Sequence, residues 1–445
     1  MEPTVLALMP HLQVLQKTTI IFSRQFGSKA VSVHLSTAKG ILFPMAIAAS
    51  HSVWRLLISL LCLVQFVLAY QKLSEETLRK LPRPGNDFDI YKGKLLAPIL
   101  RTRVPGTPGS TAVLNHFNDF FKTTLPDWTI ELQNSTAKTP VSGNKEVPFV
   151  NFIASRDPPW ASKGDVGRLT LVAHYDSKYE PKGFIGAIDS AAPCAMIMHA
   201  VRSIDAALTR KWKQMETEGD AMEAGFDAYT GIQVIFLDGE EAFKTWTNSD
   251  SLYGSRSLAE TWGETAYSPM SIFRTPLSSI SLFLLLDLLG SKDPLIQSYF
   301  PTTHWAYQSM ADLERRLRSL KQLKSSPNFD SKSEQTADEP QWLADAEKGE
   351  HLLKAWTTIQ DDHLPFLRRG VEILHIIDTP GRHGFPEVWH TINDDGEHLD
   401  LPTVEDWSML VTAFAAEWMD LEGYFDDHAQ GTTEKMSTRK TEFIE

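Results

Sequence analysis

Asp189 in GAIDSAAPCA, Glu240 and Glu241 in FLDGEEAF, and His390 in FPEVWHT have the residue types of one zinc centre, although they are spread over about two hundred residues. Carboxylate and neutral imidazole suit Zn²⁺, and three protein ligands with an open fourth position make a catalytic site, not a closed structural one. Two consecutive glutamates at the end of an apolar run let one hold metal while the other handles protons, as metal-assisted acyl chemistry requires. Successive strand side chains point to opposite faces, so both can serve one site only if the backbone turns there, which Gly239 permits.

Each of these residues also has a plainer reading. An Asp before a helix commonly caps it, a Glu pair can be a solvated strand end, and a lone His or Trp is often a satisfied polar or packing residue. Asp287 resists the plainer account, since a carboxylate in an apolar strand needs a partner.

The elements that must position these residues are legible in the hydrophobic pattern. Short, nearly continuous apolar runs at Phe149 to Ala154, Leu169 to His174, Ile232 to Asp238, Ser281 to Leu288 and Val371 to Ile377 predict central strands covered on both faces. Helical spacing is predicted at Leu73 to Leu81, Thr111 to Thr124, Ser190 to Leu208, His304 to Leu320 and Val404 to Leu421, the last with Thr403 as N-cap. Strands alternating with helices imply an α/β fold, a three-layer α/β/α sandwich with a mostly parallel mixed central sheet. HYDS, DGEE, LLDLLG and WH then fall at or just beyond strand C-terminal ends, where open α/β sheets place their ligand sites. Residues far apart in sequence converge on one rim.

In order and context these motifs resemble the glutaminyl-peptide cyclotransferases, the single-zinc relatives of the M28 aminopeptidases. The resemblance runs from about Leu73 to Leu421 and is densest in HYDSKY, GAIDSAAPCAM, DGEEAFKTW, DSLYGSR, LLDLLG, IQDDHLPFLRRG and FPEVWHT. It implies an M28 aminopeptidase-like fold, with Asp189, Glu241 and His390 as ligands of one zinc per chain and Glu240 as the catalytic acid/base. It also implies Asp287 and Asp361 as a carboxylate pair close enough to share a proton, and Trp246, Gln360, Phe385 and Trp389 as the substrate pocket. The implied reaction cyclises an N-terminal Gln (or Glu, poorly) of peptides or proteins to pyroglutamate with release of ammonia. The alternative is an M28 zinc aminopeptidase, in which His174 and a residue at Asp287 hold a second zinc bridged by Asp189. A third reading, a binder of peptide N-termini, sits badly with an intact Glu240. Two departures from the secreted animal cyclases stand out: Ala173 replaces the Cys that would pair with Cys194, and Gly381 to Gly384 lengthen the loop before Phe385. His383 on that loop reads as a solvated residue, not a ligand.

With 445 residues, 42% hydrophobic and 22% charged, the chain can bury a large core, and one catalytic domain over residues 70–426 accounts for it. A net charge of -13 with no basic cluster excludes a general nucleic-acid or anionic-membrane binder. Leu56 to Ala69 reads as a signal h-region cleaved near Ala69, which predicts a secreted or secretory-pathway protein, membrane-anchored only if the segment stays uncleaved. In that reading residues 1–44 are a gene-model extension ahead of Met45, with a transit peptide as the competing account. Asn134, Ser135 and Thr136 form a sequon, the polar segment 321–350 reads as a mobile insertion, and residues 427–445 as a flexible tail.

Overall fold

A computed structural model describes residues 71–219, 229–332, 339–353, 359–379 and 384–426. The leader, its apolar run, His383 and the C-terminal tail lie outside the described residues. Among those described, no helix is long and apolar enough to cross a membrane.

Six strands form one sheet: β1 (Thr129–Lys138), β2 (Glu146–Arg156), β3 (Gly167–His174), β4 (Thr230–Leu237), β5 (Ile280–Asp287) and β6 (Ile373–Ile377), in the order β1-β2-β4-β3-β5-β6. Strands β4, β3, β5 and β6 run parallel, while β2 is antiparallel to both β1 and β4, so the sheet is mixed and mostly parallel as expected. The five apolar runs became the five inner and far-edge strands. β1 was not predicted. Its sequence TIELQNSTAK has half-exposed alternation and no apolar run, because it forms an outer edge of the sheet.

Seven helices accompany the described sheet: α1 (Glu75–Lys80), α2 (Pro108–Thr124), α3 (Ala192–Glu218), α4 (Tyr253–Glu264), α5 (His304–Ser319), α6 (His363–Leu367) and α7 (Leu401–Trp418). The period-two alternation of strand side chains sorts them into layers. Leu169, Leu171, Val234, Phe236, Leu284 and Leu286 pack with α2, α3, α5 and α7 on one face. Val172, Ile235, Phe283 and Leu285 pack with Leu258, Trp262 and Phe366 of α4 and α6 on the other. The result is the three-layer α/β/α sandwich.

Three local expectations need correction. The N-cap of α7 is Asp400, whose carboxylate accepts from Thr403 N at 3.1 Å; Thr403 lies inside the first turn. α3 begins at Ala192, so Asp189 and Ser190 precede the helix and neither caps it. The described part of segment 321–350 is packed, not loose: Trp342 stacks on Trp407 with centroids 4.9 Å apart, and Trp342 N and Leu343 N donate to the Glu314 carboxylate at 2.7 and 3.1 Å. Leu323, Trp342 and Leu343, all buried in the core, anchor it despite its polar composition.

Candidate active site

The candidate residues gather at the C-terminal ends of the parallel strands. His174 ends β3, Asp287 ends β5, Glu240 and Glu241 follow β4, and the loop beyond β6 carries Phe385, Trp389 and His390. Gly239 makes the turn after β4 with φ of 73°, and a Cβ there would lie 2.4 Å from the Phe149 ring. Both the dihedral and the space demand glycine. Past that turn the Asp176 carboxylate accepts Glu240 N at 3.0 Å and Glu241 N at 3.1 Å, fixing the backbone of the pair.

Asp189 lies in the segment between β3 and α3. The buried guanidinium of Arg103 donates to the carbonyls of Tyr175, Ile185, Gly186 and Asp189, tying the end of β3 to that segment. Asp394 closes it from the other side by accepting Ile188 N at 2.8 Å.

Asp189, Glu241 and His390 come together as a possible metal-binding group. His390 Nε2 is 3.5 Å from Asp189 Oδ2 and 3.6 Å from Glu241 Oε1. Each carboxylate uses its other oxygen for a hydrogen bond: Asp189 Oδ1 to His174 Nε2 at 2.9 Å, and Glu241 Oε2 from Lys178 Nζ at 2.9 Å. The two oxygens that face His390 are buried and accept no hydrogen bond from any described residue. A buried acceptor without a partner costs stability, and a cation among these three groups removes that cost. Burial drives His390 down to about 4, so it is the neutral imidazole that metal ligation needs. Burial and the charge of Asp189 push Glu241 up to about 8, and burial, opposed by His174 and reinforced by Glu241, lifts Glu240 well above the usual carboxylate range. A crowd of buried carboxylates of this kind is what a dication neutralises. The donor set fits a divalent metal.

A second group of possible ligands, His174, Asp189 and Asp287, lies next to the first. Its members are bonded among themselves and to a neighbour: His174 Nε2 pairs with Asp189 Oδ1, and Ser190 Oγ donates to Asp287 Oδ1.

Asp287 and Asp361 are electrostatic neighbours, but the hydrogen bonds of each run to other partners. Asp361 Oδ2 is 2.7 Å from His375 Nε2, and Asp361 Oδ1 accepts Asp362 N at 2.6 Å. Burial, then the charge of Asp361, pushes Asp287 up to about 6; in Asp361 burial, the largest single effect, is outweighed by the bond to His375 together with the charges of His375 and His363 and the Asp362 N–H, so the group lies below its ordinary value. Of the two, Asp287 is the more readily protonated.

The aromatic candidates fall into two groups. Phe385 stacks on Trp389 and Trp389 on His390, each with centroids 4.0 Å apart, so one group is continuous with the His390 imidazole. In the other, the Trp246 indole donates to Gln360 Oε1 at 2.8 Å. Sequence reasoning missed Arg103, Lys178, Ser190, His375 and Asp394. Of these His375 carried a signal, a polar residue inside the apolar run VEILHII, as Asp287 did in its own strand. Arg103 carried none, since its partners are backbone carbonyls.

Residues 158–415 match peptidase family M28. The glutaminyl-peptide cyclotransferase-like protein of Bos taurus is 38% identical over 329 residues, covering 73% of this chain and 74% of its own length. The glutaminyl-peptide cyclotransferase of Bothrops jararaca is 37% identical over 332 residues, 73% of this chain and 80% of its own. The crystal structure of Macrostomum lignano glutaminyl cyclase has a TM-score of 0.61 and 27% identity, covering 80% of this chain and 96% of that one.

Proposed function

The chain belongs to peptidase family M28, among its glutaminyl-peptide cyclotransferases, and we propose that it converts the N-terminal Gln of peptides or proteins to pyroglutamate with release of ammonia, using one zinc per chain. The observation that carries the zinc site is the pair of buried, unpartnered oxygens, Asp189 Oδ2 and Glu241 Oε1, that face His390 Nε2.

Asp189, Glu241 and His390 would hold the zinc, which when bound supplies Lewis-acid polarisation of the substrate γ-amide carbonyl. Glu240 stands next to the ligand Glu241 with its main chain fixed by Asp176. In this reading it takes a proton from the substrate α-ammonium, and the freed amine attacks the γ-carbonyl carbon of the same residue. As the bond from that carbon to the amide nitrogen breaks, Glu240 returns that proton to the departing nitrogen, and the second proton shed by the ring nitrogen leaves with the ammonia as ammonium. Because nucleophile and carbonyl belong to one residue, the protein mainly has to hold the folded near-attack conformer. Trp246, Phe385 and Trp389 serve as the walls for that, with Gln360 fixing Trp246. Asp287 and Asp361, with Ser190 and His375, support Glu240 without touching metal.

The runner-up is a two-zinc aminopeptidase, which the proximity of His174, Asp189 and Asp287 would serve. The His174 Nε2–Asp189 Oδ1 contact of 2.9 Å is one that a metal between the two would replace, so the zinc count of the purified protein separates the two readings. We read Leu56 to Ala69 as a cleaved signal segment, with a mature start near Tyr70 in the secretory route; N-terminal sequencing of secreted protein tests this, and a cytosolic chain retaining Leu56 to Ala69 defeats it. The activity is tested by incubating purified protein with a Gln-initiated peptide. Ammonia release without chain shortening means cyclase, a released amino acid means peptidase, and binding without change means a recognition protein.

A further inference from the structure

The stretch from Lys244 to Ser249 stands out from the end of β4 with Lys244, Thr245, Thr247, Asn248 and Ser249 exposed and Trp246 half-buried near its tip. Such a segment has little apolar burial to offset the entropy of ordering it. It is ordered instead around one buried carboxylate. Asp250 Oδ1 accepts Phe243 N at 3.0 Å and the Tyr253 hydroxyl at 2.9 Å, while Oδ2 accepts Lys244 N at 3.0 Å and Thr245 N at 2.9 Å. Asp250 N in turn donates to Thr247 Oγ1 at 3.0 Å, closing the far limb on the near one. Bonds to an ionised acceptor are roughly twice as strong as neutral ones, and here four converge on one side chain.

From this geometry we infer that Asp250 is a positioning residue for substrate recognition: it sets the Trp246 indole against Gln360 and so pre-forms one wall for the N-terminal side chain of the peptide. The inference rests on the reading of Trp246 as a pocket residue. The glutamate pair has a further anchor of its own, because Asp176 holds Glu240 N and Glu241 N, while Leu252 N donates to Glu240 O at 2.9 Å whatever the side chain at 250. Loss of Asp250 therefore weakens binding more than turnover, since the peptide must then order the loop as it binds.

The test uses the zinc-loaded enzyme and a Gln-initiated peptide. Asp250→Asn places an amide N–H against backbone N–H groups, and KM should rise about tenfold with kcat within about threefold and zinc retained. Trp246→Ala should give a comparable rise, and the double variant little more than either, because both remove the same wall. Trypsin should cut after Lys244 in Asp250→Asn and not in the wild type. Where Asp250→Asn does not fold, Tyr253→Phe removes one of the four bonds and should shift KM and the Lys244 cut in the same direction by less. Unchanged KM, a parallel fall of kcat with zinc loss, or effects that multiply in the double variant overturn the inference. If the wild type releases no ammonia, the cyclase reading fails, and protection of Lys244 still decides whether Asp250 holds the loop.

Discussion

Glu241 Oε1 faces His390 Nε2 at 3.6 Å while its sister oxygen is held by Lys178, so this carboxylate is already oriented with one oxygen spent and one available. Glu240, one residue earlier, belongs to none of the three groups of possible ligands among the described residues, the third being Asp361, His363 and His375. Mutation should separate the two. Glu241→Ala is expected to lose zinc together with activity. Glu240→Gln keeps shape but cannot carry the proton, so it should retain zinc and peptide binding while turnover falls by roughly 10²-fold or more. Near-normal turnover in Glu240→Gln, or zinc loss from it, would falsify the assigned roles.

Metal analysis should return one zinc per chain. Chelation should abolish turnover and lower the melting temperature, with both restored by one equivalent of zinc, because a ligand bound only to the folded state stabilises it. His174→Ala is expected to keep that single zinc, since His174 supports Asp189 through a hydrogen bond. Two zincs in the wild type, with loss of one in His174→Ala, point to the peptidase.

The carboxylates behind Glu240 should be unequal. Asp287, pushed up to about 6, is the member suited to carry a proton, and an amide copies a protonated acid well. Asp361 accepts from Asp362 N and pairs with His375 Nε2, so Asp361→Asn reverses one of its hydrogen-bonding faces. Turnover should fall further in Asp361→Asn than in Asp287→Asn, with zinc content unchanged in both. The reverse order, or zinc loss in Asp287→Asn, counts against this assignment.

A pH dependence of stability is built into α3. His199 Nε2 lies 3.0 Å from the Pro82 carbonyl, which can only accept, while Arg202 approaches Nδ1 at 3.4 Å; the ring is therefore the neutral Nε2–H tautomer. Burial, with the Arg202 charge added, lowers its pKa to about 4. Because the folded state resists protonation and the unfolded chain does not, this contribution is fully present above pH 6.5 and is lost as pH falls toward 4, at most about 3 kcal/mol. Urea unfolding from pH 7 to 4 should show that loss, and a His199→Gln variant should flatten it. A variant with the same slope as wild type places the acid sensitivity elsewhere.

Much of the fold was readable because burial on both faces of a parallel sheet forces near-continuous apolar runs, as in Leu169 to His174 and Ser281 to Leu288. The edge strand β1 escaped because one of its sides meets solvent, and segment 321–350 looked loose because Leu323, Phe329, Trp342 and Leu343 are its only large apolar residues. The placement of Trp342 on Trp407 is a contact between distant parts of the chain that no local pattern records.

For the site, the sequence by itself determined the residue types, their order and their placement at strand ends, since Asp189, Glu240, Glu241 and His390 stand in motifs whose spacing follows the alternation of strands and helices. Only the tertiary structure decided which atoms do what. The lateral order of the strands, which the sequence does not encode locally, brings Lys178 to one oxygen of Glu241 and leaves the other to face His390. It also sets His375 against Asp361 and threads Arg103 beneath Asp189. Those pairings come from long-range packing of strands and loops, where a hydrogen bond depends on ångström-scale approach and not on sequence distance.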